Sequence, residues 1–196
     1  MPKVPSSQVV LDSAYRCFCR NGFRRTTISD IVEESRLSRP TVYKYAGTKD
    51  EAFAKVIHER LERASAAADG AAAAAGGPEE KVLGVLTVKL EVAIRLWRDS
   101  PVHAYELLSA ASAHTPDLVT AYTDRLARLL ESALAEAVPG TVAESAAGVL
   151  LTFTRGLEDD LHDVEAARRD LGTGVRMITR GALGAPSPSP TPARPH

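Results

Sequence analysis

Three residues of the kind that cap helix N-termini, Thr27, Ser38 and Thr48, follow one another at intervals of about ten residues in the stretch TTISDIVEESRLSRPTVYKYAGTKDEAF. Each hydroxyl can accept a hydrogen bond from a backbone N–H that lacks a partner in the first helical turn, so each marks a fresh helix start. Thr27 has Asp30 three residues on, within reach of the helix's positive end, and Thr48 forms a capping box with Glu51. The helices between these starts can be only about eight residues long. The first turns Ile28, Ile31 and Val32 toward a core and breaks at Ser35-Arg36-Leu37; the second runs from Ser38 through Val42 to Tyr45. An earlier helix, from about Ser7 to Asn21, carries the apolar stripe Val10, Leu11, Ala14, Tyr15 and Phe18, with Gly22 where a glycine cap belongs. A further helix after Thr48 continues the apolar face with Ala52, Phe53, Val56 and Ile57.

The rest of the chain is helical in pattern as well, with no alternating segment of useful length, so the fold class is all-α. Residues 1–60 form one domain, and residues 61–77, rich in Ala and Gly, read as a helix end and linker. Residues 78–184 form a second helical domain, and the proline-rich residues 185–196 read as a disordered tail. The helix expected over about 78 to 99 is apolar nearly all round, which predicts burial in the middle of the second domain. Further helices are expected at about 101–114, 116–137, 140–162 and 164–183.

Charge is distributed unevenly. The net charge of the whole chain is −1, yet residues 1–60 hold eleven Lys and Arg against seven Asp and Glu. From Arg20 to Lys49, the cations Arg20, Arg24, Arg25, Arg36, Arg39, Lys44 and Lys49 face only Asp30, Glu33 and Glu34. Such a patch suits a phosphate backbone, although a charge run is also how an ordinary solvated face looks. No run of eighteen apolar residues and no signal-peptide pattern is present, so a cytoplasmic protein with no membrane partner is expected. Cys17 and Cys19, two apart on a helix, point to different faces and read as packing residues.

Two short helices joined by a three-residue turn are the pattern of a helix-turn-helix, whose second helix enters the DNA major groove. Gly22-Phe23, Thr26-Thr27, Ile31-Val32, Leu37-Ser38, Tyr43, Tyr45 and Lys49 stand at the spacing of the N-terminal domain of the TetR family of bacterial transcriptional repressors, which residues 7 to 60 resemble. The sequence departs from that pattern at Arg36, where the family usually carries glycine, and at Ala46, where it carries phenylalanine. A left-handed residue retained at Arg36 costs about 1–2 kcal/mol, while Tyr45 or Phe53 can refill the volume at Ala46. The resemblance implies that Thr27, Tyr43 and Lys49 bind phosphates of double-stranded DNA and that Arg39, Pro40, Thr41 and Lys44 face bases. For Tyr43 the alternative is a packing role, and for Lys44 a phosphate contact.

The resemblance further implies a homodimer built by the last two helices, reading a two-fold operator, and a small-molecule effector. Ala147, Leu150, Leu151, Thr154, Val175 and Ile178 are candidates for the dimer interface, burial within one subunit being the alternative. Trp97, His103, Tyr105, Tyr122, Phe153 and Arg155 are candidates for lining a ligand cavity, core filling being the alternative. The acidic run Glu158-Asp159-Asp160-Leu161-His162-Asp163 spreads its carboxylates around a helix end and reads mostly as a solvated surface. Nothing in the sequence calls for a cofactor, a metal or catalysis: it has no nucleophile elbow, phosphate loop or zinc spacing. The expected function is therefore a dimeric, effector-released repressor. The rival is a helical scaffold whose helix-turn-helix, marked by Arg36 and Ala46, does not read DNA.

Overall fold

The capping hydroxyls start their helices where the sequence places them. In the computed structural model, which describes residues 6–159 and 161–184, these helices are α1 (Ser6–Arg25), α2 (Ile28–Ser35), α3 (Arg39–Ala46) and α4 (Lys49–Ala72). Thr27 Oγ1 accepts from the Asp30 N–H at 3.3 Å while Asp30 Oδ2 accepts from the Thr27 N–H at 2.7 Å. Thr48 and Glu51 close the same reciprocal box at 3.2 and 2.7 Å. Gly22 takes φ 75°, which breaks the helix of α1 before its final turn. Buried Thr26 then donates to the Gly22 carbonyl at 2.7 Å.

Arg36 occupies the left-handed region, with φ 56° and ψ 25°, and its N–H donates back to the carbonyls of Val32 and Glu33. The turn therefore keeps its geometry without glycine. Arg36→Gly is expected to stabilise the domain by about 0.5–1 kcal/mol, the relief of strain outweighing glycine's extra unfolded-state entropy. Thermal melting checks this as a Tm increase of roughly 1–4 °C. Ala46 is fully buried, in a core cluster that also holds a trio of rings. Phe53 packs edge-on to Phe18 at 5.0 Å and against Phe23 at 4.7 Å. Tyr45 stays half-buried with the Lys44 ammonium 5.4 Å from its ring centre.

The second domain is α5 (Pro78–Asp99), α6 (Ala104–His114), α7 (Pro116–Ala135), α8 (Gly140–Glu158) and α9 (Val164–Leu183). As its apolar circumference predicts, α5 is the central helix, packed on α4, α7, α8 and α9. Leu86, Leu90, Leu126, Leu130, Leu150 and Leu171 fill the core around it. No strand occurs among the described residues. The expectation for 185–196 lies outside them.

One expectation changes. The Ala-rich segment 61–77 was expected to fade from helix into linker, but α4 continues to Ala72, leaving 73–77 as the connection. Its small residues are the reason. Ala64, Ser65 and Ala68 are buried against the second domain, and Gly84 of α5 lets the helices approach so closely that a Cβ there would lie 3.2 Å from Ala71 Cβ. Arg125 of α7 ties to Asp69 at the same level. A single helix, α4, thus begins in the N-terminal domain and ends inside the second domain.

Candidate nucleic-acid interface and interior cavity

Helix α3 is too short to bury more than one side, and that side is Val42 and Ala46, both fully buried. Arg39, Pro40, Tyr43 and Lys44, one helical turn apart in pairs, therefore project together into solvent. Tyr43 is 47% exposed despite its size, which excludes packing as its main role. The Arg39 guanidinium donates to Ser29 Oγ of α2 at 3.3 Å and lies 5.8 Å from the Tyr43 ring centre. Thr41 is half-buried, its hydroxyl 2.8 Å from that of the N-cap Ser38, so it is less available than its neighbours. Thr27 is exposed at the start of α2. Lys49 opens α4, with Nζ 4.6 Å from the Phe23 ring centre and donating to the Arg24 carbonyl at 3.4 Å.

The cationic patch is smaller than the sequence suggests. Arg16 and Arg20 both bind Glu34, at 2.7 and 3.0 Å, and their hydrogen bonds hold its carboxyl below the usual carboxylate range. The one carboxylate offsets one of these two positive charges. Arg36, Arg39, Lys44 and Lys49 pair with no carboxylate among the described residues, and they cluster at the turn, α3 and the start of α4. What remains positive is the face that carries the reader.

The two domains are joined by polar contacts as well as by α4. Glu106 of α6 accepts the Arg24 N–H at 2.9 Å, sitting where a Cβ on Gly22 would come within 2.4 Å of its carboxylate. Ser100 Oγ donates to the Cys19 carbonyl at 2.7 Å, and Tyr15 donates to Asp99 at 2.8 Å. His103, expected in the ligand cavity, belongs to this junction instead. Its ring nitrogens lie 3.4 Å from Glu106 and 3.4 Å from the Arg25 guanidinium.

Between α4, α5, α6, α7 and the end of α8 lies a cavity of about 620 Å³. Three of the six expected residues, Tyr105, Tyr122 and Arg155, line it. Tyr105 stands at the mouth, 69% exposed. Trp97 and Phe153 do not line it, because both are used in packing. Trp97 Nε1 donates to the Glu158 carbonyl at 3.2 Å, and the Phe153 ring fills the space that a Cβ on Gly174 of α9 would need. Sequence reasoning missed Lys89 and Glu158, which line the cavity and bond to each other at 2.6 Å with both side chains largely buried. Burial pushes the Glu158 carboxyl up, partly offset by Lys89. The other acids of that run have separate places: Asp163 caps α9 by accepting from the Ala166 N–H at 2.8 Å, Asp159 is exposed, and Asp160 lies outside the described residues.

The dimer candidates also need correction. Ala147, Leu150, Thr154 and Val175 are fully buried within the subunit, and Leu151 and Ile178 pack half-buried against the same core. They hold α8 and α9 onto α5 and α7, because the small and aliphatic positions of α8 cover more than one face. The outer face of the pair carries Gly148, Val149 and Thr152 of α8 with Thr173 and Met177 of α9, and here Val149 is 54% and Met177 71% exposed.

Residues 10–56 match the model of the bacterial regulatory proteins of the tetR family. The uncharacterised HTH-type transcriptional regulator YfiR of Bacillus subtilis is 42% identical over 53 residues; the match spans 27% of this chain and 26% of that protein. The likeness of fold reaches much further. A TetR-like transcriptional regulator from Rhodococcus sp. RHA1, 26% identical, superposes with a TM-score of 0.70 over 94% of this chain and 100% of its own. A second regulator from the same source, at 19% identity, shares the fold with a TM-score of 0.75 over 93% of this chain and 100% of its own. Among the described residues no helix is long and apolar enough to cross a membrane. The N-terminal domain thus matches the tetR family of bacterial regulatory proteins in its residues over 10–56, and the chain as a whole shares the fold of TetR-like transcriptional regulators.

Proposed function

We propose that the protein is a dimeric repressor that binds a two-fold operator through α3 and leaves it when a small, mainly apolar molecule occupies the cavity of the second domain. The observation that carries the reading is the exposed face of Arg39, Pro40, Tyr43 and Lys44 directly opposite buried Val42 and Ala46. Nothing in the packing of α3 needs those four side chains, whereas base edges and phosphates do. The rival scaffold reading drew on Arg36 and Ala46, yet the turn keeps its left-handed residue, and Ala46 is fully buried in a core cluster that includes three aromatic rings.

Thr27, Tyr43 and Lys49 would hold phosphates, Lys49 together with the backbone N–H groups that open α4. Arg39, Pro40 and Lys44 would face bases, with Thr41 contributing less. The outer face of α8 and α9 would meet a second copy, which sets the two α3 helices about one DNA turn apart, roughly 34–36 Å. Since α4 forms both a cavity wall and the support of the reader, an occupant that shifts α4 against α5 and α7 changes that spacing. The swing thus involves the helix itself rather than a loose linker at 64–77.

Selection from random duplexes with the full chain tests the reading. The expected product is an enriched motif of two inverted half-sites about one turn apart. A folded, dimeric protein that enriches no two-fold motif overturns it. Compounds that change Trp97 emission should bind more weakly when operator is present, by the same factor by which they weaken DNA binding.

A further inference from the structure

We infer, resting on the reading of the cavity as an effector site, that the ligand carries one neutral hydroxyl, as an alcohol or a phenol, on an apolar body, and that this hydroxyl sits between Tyr122 and Glu158. The apolar part follows from the walls, where Ile57, Val88, Val92, Leu96, Leu108 and Val119 surround most of the space. The volume of about 620 Å³ suits a single small organic molecule.

The polar part follows from hydrogen-bonding capacity left over in the wall at Tyr122 and Glu158. Tyr122 Oη is buried without a hydrogen-bond partner among the described residues, a costly state that a native core avoids. Glu158 Oε1 accepts from Lys89 Nζ at 2.6 Å, while its second oxygen accepts from no described residue. Both side chains line the same cavity, and the charge of Glu158 is felt at Tyr122, adding to burial in pushing the phenol's pKa up.

Four ligand chemistries can be weighed against these two groups. A hydrocarbon or an ether leaves the second oxygen of Glu158 without a donor. A carboxylate brings a second negative charge beside a carboxyl whose ionised form burial already disfavours. An ammonium satisfies Glu158 but adds a second positive charge beside Lys89 in a desolvated place, where the existing pair is already neutral. A hydroxyl alone is neutral, accepts from the Tyr122 O–H and donates to the free oxygen of Glu158. Arg95 and Arg155 at the mouth are exposed and screened by solvent, so they do not select the inner group.

The test uses the full chain and four matched probes, 4-pentylphenol, 4-pentylanisole, 4-pentylbenzoate and 4-pentylbenzylamine, followed by calorimetry and Trp97 emission. The phenol is expected to bind at least about tenfold more tightly than the other three, a difference of about 1.4 kcal/mol. Tyr122→Phe removes the donor from which the oxygens of both the phenol and the anisole accept, so it should weaken both, while the phenol keeps the advantage over the anisole that rests on donation to Glu158. Glu158→Gln alone would strand Lys89 in a buried site and destabilise the fold. The second variant is therefore the double replacement Lys89→Met with Glu158→Leu, expected to remain folded by circular dichroism and to bind phenol no better than anisole. If the anisole matches the phenol, or the benzoate or the amine outranks it, the hydroxyl assignment is overturned and the cavity reading stands. If none of the four binds the folded protein, the cavity reading itself fails and the assignment falls with it.

Discussion

Val149→Asp combined with Met177→Asp is expected to yield a folded monomer that has lost operator binding by about a hundredfold or more, the loss of two linked heads acting as one. Both side chains are more than half exposed in the isolated subunit, so a carboxylate at either position is solvated there and costs the fold little. In the proposed dimer the same carboxylates would enter a desolvated interface and face their own copies across a two-fold axis. Leu150→Asp makes the contrast. Leu150 is fully buried among Leu86, Leu130 and Leu171, and an unpaired carboxylate there costs several kcal/mol, comparable with a typical total stability of about 5–15 kcal/mol. That variant should lose its helical signal, whereas the outer-face pair should keep it. Sedimentation velocity with circular dichroism separates the two outcomes. An outer-face variant that still sediments as a dimer places the interface elsewhere.

That contrast shows where the sequence was legible and where it was not. Capping is a local interaction between residues three apart, so Thr27, Ser38 and Thr48 located α2, α3 and α4 without knowledge of the rest of the fold. The all-round apolar pattern of α5 likewise needed no partner to be read. In α8, by contrast, small residues lie on the side toward the core, at Ala143, Ala146 and Ala147, and on the outer side at Gly148 and Thr152. Periodicity reports that such faces exist but not which one meets the subunit's own core. The Ala-rich end of α4 is helical because of a close approach to Gly84, a tertiary contact that propensity cannot foresee. Glu158 was hidden in an acidic run that looked solvated, since its buried partner Lys89 lies 69 residues away. Trp97 and Phe153 were chosen for size, and large rings serve packing as readily as they serve ligands.

On the DNA side, Arg39→Ala is expected to erase discrimination at one position of each half-site, about 1–3 kcal/mol per good contact, while leaving most of the non-specific affinity. Tyr43→Ala and Lys49→Ala should do the reverse, weakening every duplex alike, because phosphate partners set affinity and register without carrying sequence. Arg39 is the proposed base reader best placed for the role: it stands at the first residue of α3, exposed, and its hydrogen bond to Ser29, long at 3.3 Å and open to solvent, can be replaced on binding at little cost. Thr41→Ala should have a mixed effect, since the same substitution removes the partner of the Ser38 hydroxyl at the N-cap of α3. Lys49 carries the clearest signature. Losing one phosphate contact in each subunit should reduce the slope of log affinity against log salt by about two, whereas Tyr43→Ala should lower affinity at every salt concentration with the slope preserved. Fluorescence anisotropy on the selected operator, and on duplexes altered at single positions, across a salt series measures all of these together. If Arg39→Ala retains full discrimination, or Lys49→Ala leaves the salt slope unchanged, the corresponding residue has been given the wrong role.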